Sequence, residues 1–312
     1  VSIGREALCV LSHSGSVSCY GQWRYGASSV EPPDDLGVAT DVVVGASHAC
    51  AVVDDGAVRC WGENIGYGDA VYNQAQPPVG LNNTALLVAG DYHTCALSRV
   101  GRIHCWGRDE DDESSPPSGL GQVRAIASAN DKSCALYDED QVACWGDKDY
   151  FPNPPRDLRD VVGLSVGNRQ ACARHRDGAI RCWGPTYSTS VPKREQGSAV
   201  AVGVGLQHNC LILDDGSSHC WGDVSAGQSV VPMNLGMVVD IAGGAGHTCA
   251  LTTDQSVTCW GMTDTNIQRG DFGQAEPPDD LGPVQAIDAG WEHSCALMVD
   301  GTVRCWGGNE GY

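Results

Sequence analysis

Sixteen cysteines, nine histidines and 39 carboxylates give this 312-residue chain most of its capacity for chemistry. The cysteines fall in eight pairs, Cys9/Cys19, Cys50/Cys60, Cys95/Cys105, Cys134/Cys144, Cys172/Cys182, Cys210/Cys220, Cys249/Cys259 and Cys295/Cys305, with nine residues between the members of each. Thiols so arranged serve as nucleophiles, as zinc ligands or as disulfides. Pairing consumes all of them, and no nucleophile-elbow, phosphate-loop or metalloprotease signature accompanies them. Zinc knuckles set two ligands about two to four residues apart, so the longer spacing would require neighbouring repeats to share a metal. An even, dense set with no cysteine left over fits an oxidising compartment. The expectation is eight disulfides, with no metal, no cofactor and no enzymatic activity.

Other residues also invite chemistry. His48, His93, His208, His247 and His293 each stand two residues before a cysteine. They suit a ring of metal ligands or a pH switch. Their recurrence beside Gly, just before a Cys-Ala-Leu-like strand, points instead to a structural hydrogen bond within each repeat. The run Asp109-Glu110-Asp111-Asp112-Glu113 has the carboxylates of a calcium site but not its alternating, glycine-turned spacing, and reads as a solvated acidic loop. Trp23, Tyr25, Tyr67, Tyr72, Phe272 and Trp291 fall outside the repeat pattern and are candidates for a partner contact, with core filling as the alternative for each. Asn82-Asn83-Thr84 is the only N-glycosylation sequon, with Asn82 as acceptor.

The elements that position these residues are repeats. Successive first cysteines are 41, 45, 39, 38, 38, 39 and 46 residues apart. Eleven residues after each comes Trp61, Trp106, Trp145, Trp183, Trp221, Trp260 or Trp306, or Tyr20 in the first repeat, and a glycine follows in all eight. An aromatic in every repeat suits packing between repeats better than a sugar platform. Five residues before the cysteine stands Gly, except at Ala129; six after it stands Gly, except at Asp140 and Gln255. Each pair reads as a β-hairpin closed by a three-residue turn with a G1 bulge. That register places Val53 opposite Ala57, Val52 opposite Val58, and Cys50 opposite Cys60 as a non-hydrogen-bonded pair, whose α-carbons are close enough for a disulfide. A short strand precedes each hairpin, and the connection has room for a fourth. Every connection contains proline, and length varies mainly between the Trp-Gly and that proline, most in Gly62–Pro78 and Gly261–Pro278. Such variable loops mark either one binding surface or drift in solvent.

Composition sets the outer limits. Forty-two per cent hydrophobic residues supports a buried core. No apolar run is long enough to span a membrane as a helix. A net charge of -20 is wrong for tracking phosphates, so nucleic acid is not expected as a partner. No signal peptide is visible at Val1, so the chain reads as a processed form or a fragment.

The segment Val-Asp-Ile-Ala-Gly-Gly-Ala-Gly-His-Thr-Cys-Ala-Leu at 239–251, with Val-Thr-Cys-Trp-Gly at 257–261, resembles the regulator of chromosome condensation repeat. The resemblance covers essentially the whole chain. It implies an all-β fold, a β-propeller of C-x9-C hairpin repeats. The compact repeat is similar to that of β-lactamase-inhibitory propellers, and the paired cysteines are similar to those of plant crinkly receptor kinase ectodomains. Family members typically have seven blades; eight hairpins imply eight blades, or seven blades plus an extra unit, the first repeat being the degenerate one. Ring closure is expected over an open stack because it hides strand edges. The boundaries are a single domain, 1–312, with repeats at about 1–33, 34–78, 79–117, 118–155, 156–192, 193–232, 233–278 and 279–312. The family's nuclear activities do not transfer to an acidic, disulfide-dense chain. The resulting expectation is a secreted or cell-surface module that binds an extracellular protein or self-associates. A protein inhibitor acting through one face and a glycan-binding lectin are the alternatives.

Overall fold

The computed structural model describes residues 1–23, 28–54, 56–147, 153–184, 190–191, 197–262 and 272–308. These form 24 short strands in eight three-stranded sheets, with one 3-10 turn at Tyr67–Asp69. Each sheet is one repeat, or blade: a first strand, a tight turn, then the cysteine hairpin. In the second blade the strands are Ala39–Val44, His48–Val53 and Ala57–Gly62. The chain is thus all-β, with eight propeller-type blades. By packing it divides into an N-terminal half, Val1–Val166, and a C-terminal half, Gly167–Tyr312.

The hairpin register is the one the spacing predicts. Val53 faces Ala57, Val52 faces Val58 and Cys50 faces Cys60. Every disulfide lies within one hairpin and none joins two blades. In the N-terminal half the bridges are Cys9–Cys19, Cys50–Cys60, Cys95–Cys105 and Cys134–Cys144. In the C-terminal half they are Cys172–Cys182, Cys210–Cys220, Cys249–Cys259 and Cys295–Cys305. Their Cα–Cα distances are 4.0 to 4.1 Å, nearer the about 4.5 Å of a non-hydrogen-bonded antiparallel pair than the about 5.5 Å of a hydrogen-bonded one. Gly56 takes φ 92° and its N–H donates to the Val53 carbonyl at 2.9 Å, closing the turn. Asp140 and Gln255, which replace this glycine, are also left-handed, at φ 69° and 67°.

The core lies between neighbouring blades. The second strand, with Ala49, Cys50, Ala51 and Val52 all buried, is covered on both faces. One hairpin face carries the disulfide and larger aliphatics; the other carries alanines and the tryptophan. Cys50, Val52 and Val58 of the second blade pack with Leu87, Ala96 and Trp106 of the third. Cys95 and Leu97 of the third pack with Ile126, Ala135 and Trp145 of the fourth. The C-terminal half repeats this: Cys210 and Ile212 meet Ile241, Ala250 and Trp260. Each of these disulfides therefore lies against the next blade's tryptophan-bearing face. Backbone bonds join blades as well. Carbonyls of the hairpin tips at Gly56, Gly101 and Gly216 accept the N–H groups of Thr84, Val123 and Val238 at the start of the following blade.

Among the described residues no fourth strand forms in the connection. The outer edge of the third strand is covered instead by the proline segment, which is held by side chains. The Trp61 indole donates to the Val30 carbonyl at 2.9 Å, and Arg59 pairs with Asp35 at 3.1 Å on the far side of Pro32-Pro33. In the eighth blade Trp306 donates to the Gln274 carbonyl at 3.0 Å and Arg304 pairs with Asp280 at 2.9 Å, flanking Pro277-Pro278. The segment runs antiparallel to the strand without joining its ladder. Proline lacks the N–H a ladder needs, and it blunts an edge that would otherwise recruit another strand. First strands carry a second device: six shift register at Thr40, Ala85, Arg124, Val200, Val239 and Gln285. All six of these bulged residues are exposed.

Candidate functional site

Register fixes which loops share an end of the blade. His48 lies opposite Gly62, and His93 opposite Gly107. The turn before each histidine and the exit after each Trp-Gly therefore project from one end of the strands. Hairpin tips project from the other. The loops of variable length all leave from the Trp-Gly end, so this is the candidate functional surface.

In the N-terminal half this surface is built from residues 63–77, 90–92, 108–115 and 130–131. The first loop folds on itself: Ile65 bridges Val71, the Gly66 N–H donates to the Ala70 carbonyl at 2.9 Å, and the Tyr72 N–H donates to the Asn64 carbonyl at 2.8 Å. Tyr72 then packs against Tyr92, ring centroids 5.8 Å apart, with the Arg108 guanidinium 5.9 Å from the Tyr72 ring. Arg108 is ringed by carboxylates: Glu110 at 2.8 Å, Asp111 at 3.1 Å, Glu113 at 2.7 Å and Asp131 at 3.0 Å. Burial disfavours its charge, but hydrogen bonding to Glu110 and the surrounding carboxylates outweigh that and hold the guanidinium protonated. Burial, then the Glu110 charge, raises the Tyr72 hydroxyl above its ordinary range. Arg5 pairs with Asp91 at 2.6 Å beside this cluster. The result is a rigid, net acidic surface with a half-buried tyrosine.

The acidic run is exposed at four of its five residues, as expected of a solvated loop, but it is ordered around a cation. Arg108 organises it, and Glu113 is fully buried. Asp109 accepts from the Ser114 N–H at 3.0 Å and from the Ser115 hydroxyl at 2.8 Å. Among the described residues no group of three or more His, Cys, Asp or Glu side chains could hold a metal ion.

Four of the five histidines bridge to the next blade rather than bond within their own. His48 Nε2 lies 2.7 Å from Thr94 Oγ1 of the next blade, and His93 Nε2 lies 2.8 Å from Ser133 Oγ. His208 meets Thr248, and His247 meets Ser294, both at 2.8 Å. Thr248 and Ser294 donate their hydroxyl protons to the Gln228 and Gln274 carbonyls, each at 2.9 Å. His208 and His247 must therefore donate from Nε2, leaving Nδ1 without a partner. The ring edge lies where a side chain at the preceding glycine would stand, as at Gly45, Gly90, Gly205 and Gly244. Only the fourth blade has Ala129 in place of that glycine, and there Lys132 replaces the histidine. Burial lowers the pKa of His48 and His247 to about 3, and of His93, His208 and His293 to about 4.

The off-pattern aromatics separate. Trp23 is 4 % exposed, shares the core with Trp61 and donates its indole N–H to the Ser29 carbonyl at 3.1 Å, so core filling accounts for it and a partner contact does not. Tyr72 belongs to the loop surface. Phe272 and Trp291 are half-buried. Tyr67 lies in the short 3-10 turn, and Tyr25 lies outside the described residues. Asn82 is exposed ahead of the strand Thr84–Ala89.

Sequence reasoning missed the buried, anchoring role of Gln74, Glu113, Gln228 and Gln274, of which it had noted only Glu113, as a carboxylate of the acidic run. Each stands four residues before the last proline of its connection and 32 before a tryptophan. Their carbonyls accept the indole protons of Trp106, Trp145, Trp260 and Trp306 at 2.9 to 3.0 Å. In three cases the side chain folds back to accept an N–H two residues earlier, at Asp111, Ala226 and Phe272. They anchor both the loops and the edge cover. Their signal was the constant spacing to proline.

The model of the regulator of chromosome condensation (RCC1) repeat matches residues 39–68, 85–112, 238–268 and 284–311. No curated protein sequence matches the chain. Among solved structures, the entire ectodomain of the Physcomitrella patens receptor kinase CR4 is similar at 24 % identity and a TM-score of 0.63, over 87 % of this chain and 74 % of that one. The CRINKLY WD40 ectodomain of the Arabidopsis thaliana receptor kinase ACR4 is 24 % identical, TM-score 0.60, over 83 % and 90 %. Prp20p from Saccharomyces cerevisiae is 16 % identical, TM-score 0.59, over 83 % and 82 %. At such identities these structures speak to fold. With the matched segments falling on the second, third, seventh and eighth blades, the chain carries regulator of chromosome condensation (RCC1) repeats in four places, on a scaffold of eight disulfide-stapled propeller-type blades.

Proposed function

We propose that this protein is a non-enzymatic extracellular module that binds another protein, or assembles with its own kind, through the loops at the Trp-Gly end. One observation carries this reading. The scaffold positions repeat from blade to blade, whereas length and side-chain chemistry vary in the loops at that end, where Tyr72, Arg108 and its four carboxylates are held in fixed geometry. A stapled platform loses little freedom on binding, which favours an interface over a catalyst that must move. Eight disulfides support an oxidising, extracellular location. Among the described residues no helix is long and apolar enough to cross a membrane. Of the similar folds, Prp20p is described with binding properties to Gsp1p and histones. Asn82 is proposed as an N-glycan acceptor, since its exposed position permits a glycan; a mass shift with peptide N-glycosidase is the check.

The test uses the disulfide-intact protein as bait in the extracellular fraction of its source, beside V71S/Y72A and R108E loop variants. A partner retained by the parent and lost by both variants supports the reading. A partner indifferent to both variants sinks the assignment to these loops. Self-association in analytical ultracentrifugation distinguishes the assembly form. Nanomolar inhibition of a secreted enzyme would favour the inhibitor, and glycan-array binding lost in Y72A would favour the lectin. Turnover on a hydrolase panel would overturn the non-enzymatic reading.

A further inference from the structure

The third hairpin tip carries two arginines and no acid. Six of the remaining seven tips carry aspartate: Asp54 and Asp55, Asp138 and Asp140, Asp177, Asp214 and Asp215, Asp254, and Asp300. The third reads Arg99-Val100-Gly101-Arg102-Ile103-His104. Arg99, Val100, Arg102 and His104 are all exposed, Val100 at 61 %. Among the described residues neither Arg99 nor Arg102 forms an ion pair. His104 occupies the position of the Arg59 and Arg304 clamps, but 24 residues before it stands Gly80, where those arginines have Asp35 and Asp280. This cationic tip belongs to a chain of net charge -20.

Behind the tip lies a cavity of about 230 Å³, lined by Arg102, Ile103 and His104 on one side and by Pro116, Pro117 and Leu120 on the other. None of its lining residues is acidic. Two of the three acids of the fourth tip are engaged, Asp138 accepting the Gln122 N–H at 2.8 Å and Asp140 pairing with Arg124, while the third, Glu139, is exposed. The volume is below that of a typical small-molecule site, roughly 300–1,000 Å³, and suits a single side chain. Ile103, the two prolines and Leu120 in the lining, with the Arg102 side chain beside them, match an aliphatic side chain flanked by carboxylates. The lining holds no Trp, Tyr or Phe face on which a sugar could stack, which disfavours an acidic polysaccharide.

We propose that the third hairpin tip is a docking site for an acidic polypeptide segment of a partner protein, with carboxylates on Arg99 and Arg102 and one aliphatic side chain in the adjoining cavity. The site is at the opposite end of the blade from the variable loops, so the two surfaces fail independently. Electrostatic attraction steers the segment and the cavity fixes its register. The probe is a fluorescein-labelled peptide, Glu-Asp-Glu-Leu-Glu-Asp-Glu, titrated against the disulfide-intact protein by fluorescence anisotropy. Binding should weaken as salt rises. R99E/R102E should weaken it at least about tenfold, R99K/R102K should retain it, and R108E should leave it unchanged. Replacing the peptide leucine by glycine should cost about tenfold. Unfolding midpoints of the variants should match the parent, since these side chains are exposed. Equal affinity of the parent and R99E/R102E would overturn the proposal, as would equal binding of the leucine and glycine peptides. Binding of a sulfated polysaccharide but not the peptide, abolished by R99E/R102E, would assign the tip to another class of ligand.

Discussion

The buried histidines make acid sensitivity a property of single residues. Their folded pKa values of about 3 to 4 lie below the ordinary value near 6.5. Below that value the unfolded chain takes up protons that the folded one does not, so stability is full above pH 6.5 and falls as pH drops toward 4. Linkage gives a loss on the order of 2 kcal/mol per histidine at pH 5. Asp288, which burial raises to about 6, and Asp41, Asp240 and Glu113, which burial also raises, act in the opposite sense as the pH falls, but the five histidines carry the larger shifts. Denaturant midpoints measured from pH 7.5 to 4.5 should therefore fall steeply below 6.5. A flat profile would mean that the imidazoles protonate in place. A second residue-level expectation concerns Gln255, which holds φ 67° where six other tips use glycine. Q255G should raise stability by about 1 kcal/mol, because a side chain in the left-handed region costs about that much. A lowered midpoint would show that the Gln255 side chain compensates.

At the scale of elements, the blade is a hairpin whose exposed edge is shielded without a ladder. Trp61, Trp106, Trp145 and Trp260 each serve twice, filling the space against the preceding blade's disulfide face and tying down the proline segment. W106F keeps most of the ring but removes the proton given to the Gln74 carbonyl. It should cost about 1–2 kcal/mol and raise hydrogen exchange in residues 74–81 more than in the hairpin 93–107. Uniform exchange across both would mean that the segment is held by packing alone. The hairpin was legible because its register is local: nine intervening residues and a turn glycine leave one pairing. The edge cover was not. Its acceptor is a main-chain carbonyl 32 residues away, which leaves no side-chain trace, and the buried Gln74, Glu113, Gln228 and Gln274 stand out only once aligned on proline. The bulge was hidden for another reason: an exposed position accepts Thr40, Arg124 or Val239 alike. The loop surface was half legible. Glu110 and Asp111 announced charge, but nothing local showed that Arg108 gathers them around Tyr72.

On the scale of the whole molecule, stability is the sum of blades and of the interfaces between neighbours, as in other repeat proteins. Disulfides enter both terms: each closes a hairpin, and those of Cys50 and Cys95 also form one wall of the core against the next blade. Replacing Cys95 and Cys105 together by serine isolates one staple. The chain-entropy model gives roughly 3 kcal/mol for a loop of this length, less whatever order the reduced hairpin keeps when unfolded. Burying two hydroxyls beside Trp145, where the bridge had packed, adds a desolvation cost of about 1–3 kcal/mol each unless they bond. The loss should stay local. Hydrogen exchange should rise in the third blade and in 123–137 of the fourth, whose Ile126, Ala135 and Trp145 share that core, and stay unchanged in the first blade's hairpin at 7–21. A rise spread evenly over the N-terminal half would instead make that half one cooperative unit, and nearest-neighbour addition would fail. The local outcome is the one a binding platform needs: loops at one end and tips at the other can then vary in sequence while only the adjoining blades respond.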